Sequence, residues 1–214
     1  MFSILFVIQL YVITIHLLFM KKYIAEGLGT FVLTLVVLLS SGGYFSIATP
    51  LLAGLVLGLF VYSIGHISGS HLNPAVTIGM WSIGKIDSVD AVYYIVVQLV
   101  GALFALFLGS QFIVLPIVSV SPSLLVGIAE AFGTFFFTFG IASIVYGKAP
   151  HHMSGVVIGG SLLLGISIAS LIGSNGIINP AVALGIRSFG CMYVLGPIIG
   201  SILGMNLYKY LAKE

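Results

Sequence analysis

The chain has 214 residues, of which 60% are hydrophobic and only 6% charged, and its net charge is +2. A soluble domain carries about 25% charged residues, so this composition excludes a water-covered surface and makes lipid the natural solvent. Seven basic residues against five acidic ones exclude a nucleic-acid face, and the lone Cys191 cannot close an internal disulfide. No metal-ligand spacing and no phosphate-cradling glycine loop appears, so neither a metal nor a cofactor is expected.

Residues 1–19, "MFSILFVIQLYVITIHLLF", are apolar but lack the basic start and small-residue cleavage site of a signal peptide. They admit three readings: an extra span, an interfacial helix, or a non-native start ahead of Met20. The third is preferred because "MKKYIAEGLGTF" reads as an ordinary cytoplasmic beginning. A helix crossing the hydrocarbon core needs about 20 apolar residues. The stretches 23–42, 50–66, 89–110, 123–146, 154–173 and 192–211 meet that need. Two more, 74–83 and 180–189, are about half that length. Each follows a Gly/Ser-rich loop and opens at an Asn-Pro. Loops at membrane depth are tolerated only inside protein or beside a water-filled cavity, so both are expected to be re-entrant.

With six spans, Lys21, Lys22, Lys85, Lys148, Lys209 and Lys213 fall on one side and Arg187 on the other. This positive-inside pattern predicts that both ends of the six-span unit, the C-terminus included, are cytoplasmic in a multi-pass cell-membrane protein.

The chain also repeats itself. "YIAEGLGTFVLT" from Tyr23 matches "GIAEAFGTFFFT" from Gly127, and Asn-Pro-Ala-Val occurs at Asn73 and again at Asn179. Glu26 and Glu130 stand 104 positions apart, and the two asparagines 106. Two motifs sharing nearly one offset imply a duplicated unit of three spans plus one half-helix. The repeats are expected over about 20–115 and 123–214, within one channel domain of residues 20–214. An odd number of spans per unit forces the copies into opposite orientations, a recurring plan in membrane transport proteins.

Asparagine is among the best N-caps and proline is favoured at the first helical position, so Asn73-Pro74-Ala75 and Asn179-Pro180-Ala181 each say that a helix starts there. A helix N-terminus carries about half a positive charge and several unpaired N–H donors. Inversion brings two such ends face to face, where they oppose cations and offer donors to a neutral solute. Capping uses each Asn side-chain oxygen and is expected to leave its NH2 free for the cavity.

These residues resemble a known family. "GHISGSHLNPAVTIG", "NPAVALG" and the paired "AEGLGTF" and "AEAFGTF" closely resemble the major intrinsic proteins, the aquaporins and aquaglyceroporins. The resemblance covers Met20 onward. It implies an all-α integral membrane fold, a right-handed bundle of six transmembrane helices plus two re-entrant half-helices with an inverted internal repeat. It also implies a pore in each subunit, a homotetramer in the bilayer, and passive passage of water and small neutral solutes without enzymatic chemistry.

The family usually has arginine after the second Asn-Pro-Ala, where this chain has Val182. The other constriction positions are carried over by spacing: Ala53 lies twenty residues before Asn73, and Ser167 and Gly176 lie twelve and three before Asn179. Together they predict a wide, weakly polar, uncharged constriction that passes glycerol, urea, ammonia or hydrogen peroxide as well as water. A displaced "RSFG" puts Arg187 five residues past Val182. That is about 7.5 Å along a helix, so Arg187 is expected at the outer pore mouth rather than in the constriction.

Glu26 and Glu130 are ionisable groups within spans and therefore functional candidates. Each starts its span on the side where its own half's re-entrant loop enters, which favours a structural carboxylate that accepts loop N–H groups over a proton relay. Gln98 is read as a satisfied buried amide. His71 is expected at the cytoplasmic pore mouth, His66 in packing, and His151 and His152 in a solvated loop. An ion-permeable channel and a non-conducting adhesive protein of the same fold are the competing readings.

Overall fold

The structure is a computed structural model that describes residues 2–42, 46–115 and 122–213. Among the described residues eight α-helices follow one another: α1 (Phe2–Ser40), α2 (Thr49–Ser68), α3 (Pro74–Ser82), α4 (Ser88–Gly109), α5 (Leu124–Val145), α6 (Ser154–Leu171), α7 (Pro180–Gly185) and α8 (Cys191–Ala212). Six are long and apolar enough to cross a membrane, the first over Met20–Ser40. α3 and α7 are the two half-helices. α1 continues unbroken through Met20, so residues 2–19 prolong the helix of the first span. Their side chains lie outside the described residues.

Local chemistry sets most boundaries. Asp87 caps α4 by accepting the N–H groups of Val89 and Asp90, and Ser123 caps α5 through Leu125 N–H. α2 has proline in its first turn and ends at Gly69, whose φ of +87° is open to glycine without a Cβ penalty. The second half-helix is shorter than the expected 180–189. Its helical bonding stops at Gly185, where a side chain would strike Thr34 and the Ala102 carbonyl. Ile186 and Arg187 then form a turn, with Arg187 at a left-handed φ of +61°.

α1 packs on α4 in the first half and α5 on α8 in the second, the same relation repeated. α2 and α6 close the bundle across the halves. Small residues allow this: a Cβ on Gly54 would lie 2.7 Å from the Gly159 carbonyl oxygen, and one on Gly58 2.7 Å from that of Gly155. Close backbone approach of this kind is how apolar helices associate when the surroundings are equally apolar.

One end of the bundle carries the lysines. Lys22 pairs with Asp90, whose other oxygen accepts Tyr23 OH at 2.7 Å. Lys85 Nζ lies 5.2 Å from the Tyr146 ring centre, and Lys209 Nζ lies 3.4 Å from the Ile83 carbonyl oxygen. These contacts tie the start of the first span to α4, and the α3–α4 loop to both the α5–α6 loop and the end of α8. Arg187 stands exposed at the opposite end.

Candidate functional site: two opposed half-helices and the cavities they separate

Both asparagines are extended, at φ of −160° and −149°, and both cap their own half-helix. Asn73 Oδ1 accepts Ala75 N–H at 2.9 Å; Asn179 Oδ1 accepts Ala181 N–H at 3.0 Å and Val182 N–H at 3.3 Å. The NH2 groups differ from the sequence expectation. Asn73 Nδ2 donates to the Ile178 carbonyl and Asn179 Nδ2 to the Leu72 carbonyl, each at 3.0 Å. Each amide has two N–H donors, so each spends one across the centre and has one left over, and Asn179 borders a cavity.

The accepting residues are themselves unusual. Leu72 and Ile178 have φ of +48° and +43°, in the left-handed region that is an outlier for a branched side chain. This conformation turns each carbonyl toward the opposite asparagine while the N–H points back into its own half. There a carboxylate meets it: Leu72 N–H reaches Glu26 Oε2 at 2.7 Å, and Ile178 N–H reaches Glu130 Oε2 at 2.6 Å. The strained residues are thus held from both sides, as strain at a functional position requires.

Glu26 also accepts His71 N–H at 2.9 Å, Ser68 OH at 2.8 Å and Gln98 Nε2 at 2.9 Å. Glu130 accepts Ile177 N–H at 3.0 Å and the hydroxyl of Ser174. Both carboxylates are fully buried; Glu26 accepts four hydrogen bonds and Glu130 three. Gln98 Nε2 donates a second bond, to Thr77 Oγ1 at 3.0 Å, and His71 Nδ1 lies 3.1 Å from the same oxygen. Gln98 Oε1 has no partner among the described residues.

Two cavities flank this centre. The one toward Arg187's end has a volume of about 340 Å³ and is lined by Asn179, Ala53, Gly176 and Val182 among others. Ser167 does not line it. Its hydroxyl turns back to the Leu163 carbonyl at 2.8 Å, while Ile166 and Ser170 face the cavity. Counting residues across the α6–α7 loop missed by one, and on a helix one residue is about 100° of rotation. Gly176 has φ of +65°, and a Cβ there would sit 2.6 Å from the Ile166 carbonyl oxygen, so its bareness keeps this wall open. Arg187 is absent from the lining.

The cavity at the lysine end is larger, about 510 Å³, and His66, His71, His151 and His152 all border it. In the sequence these four divide into pore mouth, packing and loop. The signal for their convergence was that "GHISGSH" and "APHHMS" flank helices that end at one level. Tyr62 OH donates to the His152 carbonyl at 3.2 Å and accepts Val156 N–H at 3.3 Å, which hangs the histidine turn on α2. Among the described residues, no three His, Cys, Asp or Glu side chains converge to hold a metal ion.

Known proteins resemble this chain. A family model described as "Major intrinsic protein" matches residues 14–208. The chain is 33% identical to "Aquaporin AqpM" of Methanothermobacter thermautotrophicus, with 91% of this chain and 98% of that protein covered. It is 32% identical to "Glycerol uptake facilitator protein-like 6" of Lactiplantibacillus plantarum, covering 91% and 100%, and 30% identical to "Aquaporin Z" of Bradyrhizobium diazoefficiens, covering 91% and 95%. Its fold superposes on the X-ray structure of the aquaglyceroporin from Plasmodium falciparum with a TM-score of 0.65 at 24% identity, over 90% and 95% of the two chains. With the family matched over nearly the whole chain and the opposed half-helices in place, the chain belongs to the major intrinsic protein family.

Proposed function

We propose that the chain is a passive transmembrane channel for water and small neutral solutes. The observation that carries this reading is the meeting of two capped half-helix N-termini between two cavities, with one amide N–H of each asparagine left over. A neutral solute with an acceptor oxygen is offered donors there. A cation meets two positive helix ends and no accessible carboxylate, because Glu26 and Glu130 are spent on loop N–H groups. The relatives named as aquaporins and as a glycerol uptake facilitator support the same reading.

In this reading the lysine end is cytoplasmic, His71 stands at the inner mouth and Arg187 at the outer one, and four copies assemble in the bilayer. The channel domain is residues 20–214, with residues 1–19 an extension. Val182 stands where the family usually has arginine, so the outer constriction of Ala53, Gly176 and Val182, completed by Ile166, carries no charge. A valine supplies only methyl groups where an arginine would narrow and charge the pore.

Stopped-flow light scattering on proteoliposomes carrying a pH dye tests this. Protein-dependent water and solute flux without proton leak is expected, and proton-coupled or absent flux would overturn the reading. Val182→Arg is expected to slow glycerol and urea by about tenfold while sparing water, the equivalent of about 1.4 kcal/mol of barrier. Unchanged solute flux in that variant would mean the constriction lies elsewhere.

A further inference from the structure

The histidines gathered at the lysine end meet at a helix start. His151 and His152 lie in a 3-10 turn that runs directly into α6, so they stand at the positive end of an 18-residue helix. Ser154, the first residue of α6, borders the same cavity and is only 7% exposed. Its hydroxyl makes no hydrogen bond among the described residues, and neither do the imidazoles of His66, His151 and His152.

His71 reaches the cavity from the re-entrant loop and is 6% exposed. Its Nδ1 lies on Thr77 Oγ1, which gives its one proton to the Asn73 carbonyl at 3.2 Å and accepts from Gln98. Nδ1 must therefore be the donor, and Nε2 is left without a hydrogen bond among the described residues.

The charged neighbours leave this cavity without an acid of its own: none of the described residues lining it is acidic. Behind His71, Glu26 of α1 accepts its backbone N–H, and Tyr94 of α4 meets its ring edge-on at 5.2 Å. Lys85, Asp87 and Asp90 border an adjoining cleft that shares His71, and Asp90 there is already bonded to Lys22 and Tyr23. From α2 comes Tyr62, whose hydroxyl is used on the histidine turn, and Lys148 stands three residues before His151. The parts of α3 and α5 that line the cavity are Val76, Met80, Ile141, Ile144 and Val145.

We infer that this inner cavity is a binding site for a compact oxyanion, a phosphate or sulfate group, held by protonated imidazoles and the Ser154 hydroxyl at the start of α6. The donors arrive from α2, the re-entrant loop, the histidine turn and α6, a spread that suits tetrahedral oxygens better than a planar carboxylate. A helix N-terminus favours an anion, and a charged donor makes a hydrogen bond about twice as strong as a neutral one. Histidine is the side chain whose charge changes between about pH 5 and 8, so the site strengthens as the cytoplasmic side acidifies. That an anion seated there obstructs the inner mouth rests on the channel reading above; the binding itself does not.

Sulfate is the first probe because, unlike phosphate, it stays a dianion across this range. Calorimetric titration of the detergent-solubilised protein is expected to show binding at least about tenfold tighter at about pH 6 than at about pH 8, the effect of one charge-assisted hydrogen bond. Chloride at matched ionic strength should not displace the sulfate. Ser154→Ala, and a variant carrying both His151→Gln and His152→Gln, should each weaken binding about tenfold at the lower pH. The wild-type pH comparison stands whether or not these variants fold. Competition by inorganic phosphate and by glycerol phosphate then tells a free anion from an organic phosphate, the tighter competitor naming the source. In proteoliposomes, sulfate should slow water flux at the lower pH and leave it nearly unchanged at the higher.

No heat of binding at the lower pH, equal affinity at both, displacement by chloride, or an affinity that neither folded variant moves overturns the site. Binding that leaves water flux untouched at the lower pH overturns the obstruction. Intact sulfate binding by a protein that passes neither water nor solute would instead sink the channel reading and leave the anion site standing.

Discussion

In the first half of the re-entrant core, Glu26 takes the N–H groups of His71 and Leu72; in the second, Glu130 takes those of Ile177 and Ile178. The serine three residues before each pair, Ser68 or Ser174, donates its hydroxyl to the same carboxylate. The residue before each asparagine is left-handed and gives its carbonyl to the other half. Around these shared bonds the side chains diverge. His71, Thr77 and Ser70 in the first half stand where the second has Ile177, Ala183 and Gly176. The bonds that hold the loops run through backbone, carboxylate and asparagine, so the neighbouring side chains are free to set the polarity of each cavity. Four histidines stand among aliphatic residues at the lysine end, and Ser41, Thr49, Ser170 and two asparagines stand among aliphatic residues at the other.

Removing the carboxylates is expected to have the largest effect. Glu26→Ala strands two backbone N–H groups, the Ser68 hydroxyl and one N–H of Gln98 in a buried site, at about 1–3 kcal/mol for each donor that finds no new partner. Glu130→Ala strands the Ser174 hydroxyl and two backbone N–H groups without a counterpart of Gln98. Both should lower the thermal midpoint of the detergent-solubilised protein steeply, Glu26→Ala further. A larger loss for Glu130→Ala would break the equivalence of the halves as drawn.

The asparagines test the symmetric part. Asn73→Ala and Asn179→Ala each lose a helix cap, and each orphans one carbonyl in the opposite half. A loss of about 2 kcal/mol is expected for either, equal within error, in chemical denaturation. A difference of more than about twofold would show that one half alone carries the centre.

Smaller losses separate the loops themselves. Gly69→Ala and Gly176→Ala both put a Cβ on a left-handed residue, at about 1–2 kcal/mol. At Gly69 the nearest neighbour is His71 Nε2 at 3.3 Å, the end of a side chain that can move. At Gly176 the Ile166 carbonyl, fixed in a helix, lies at 2.6 Å. Gly176→Ala should therefore be the worse of the two in thermal unfolding, and should narrow the aliphatic cavity as well.

The duplication, the six spans and both half-helix starts were legible because they rest on short-range rules: apolar run length, capping, and repeated words at one offset. The carboxylate bonds to the loops followed from where each span begins. What escaped was set by geometry that spacing does not carry. Whether Ile166 or Ser167 faces the cavity depends on one residue of helix rotation, which the α6–α7 loop fixes. The use of one N–H of each asparagine across the centre depends on the left-handed turns at Leu72 and Ile178, residues whose own types argue against that conformation. The gathering of four histidines needed α2 and the α5–α6 loop to be side by side, a long-range contact that only the folded bundle supplies.

The smallest predicted effect reverses the order of the largest. Ser68 and Ser174 play one part: each hydroxyl donates to its carboxylate and accepts an N–H two residues on, from Ser70 at 3.1 Å or from Gly176 at 3.2 Å. Truncating either to alanine removes two modest bonds, about 1 kcal/mol net. What remains around the buried carboxylate then decides the difference. Glu26 keeps the N–H groups of His71 and Leu72 together with the Gln98 amide, whereas Glu130 keeps those of Ile177 and Ile178. A buried carboxylate with fewer donors is costlier to hold, so Ser174→Ala should destabilise more than Ser68→Ala even though Glu130→Ala destabilises less than Glu26→Ala. Thermal midpoints of the four variants in one detergent would reveal the crossing. Adding Gln98→Ala should then bring Ser68→Ala level with Ser174→Ala, because it removes the donor that makes the first half the richer of the two.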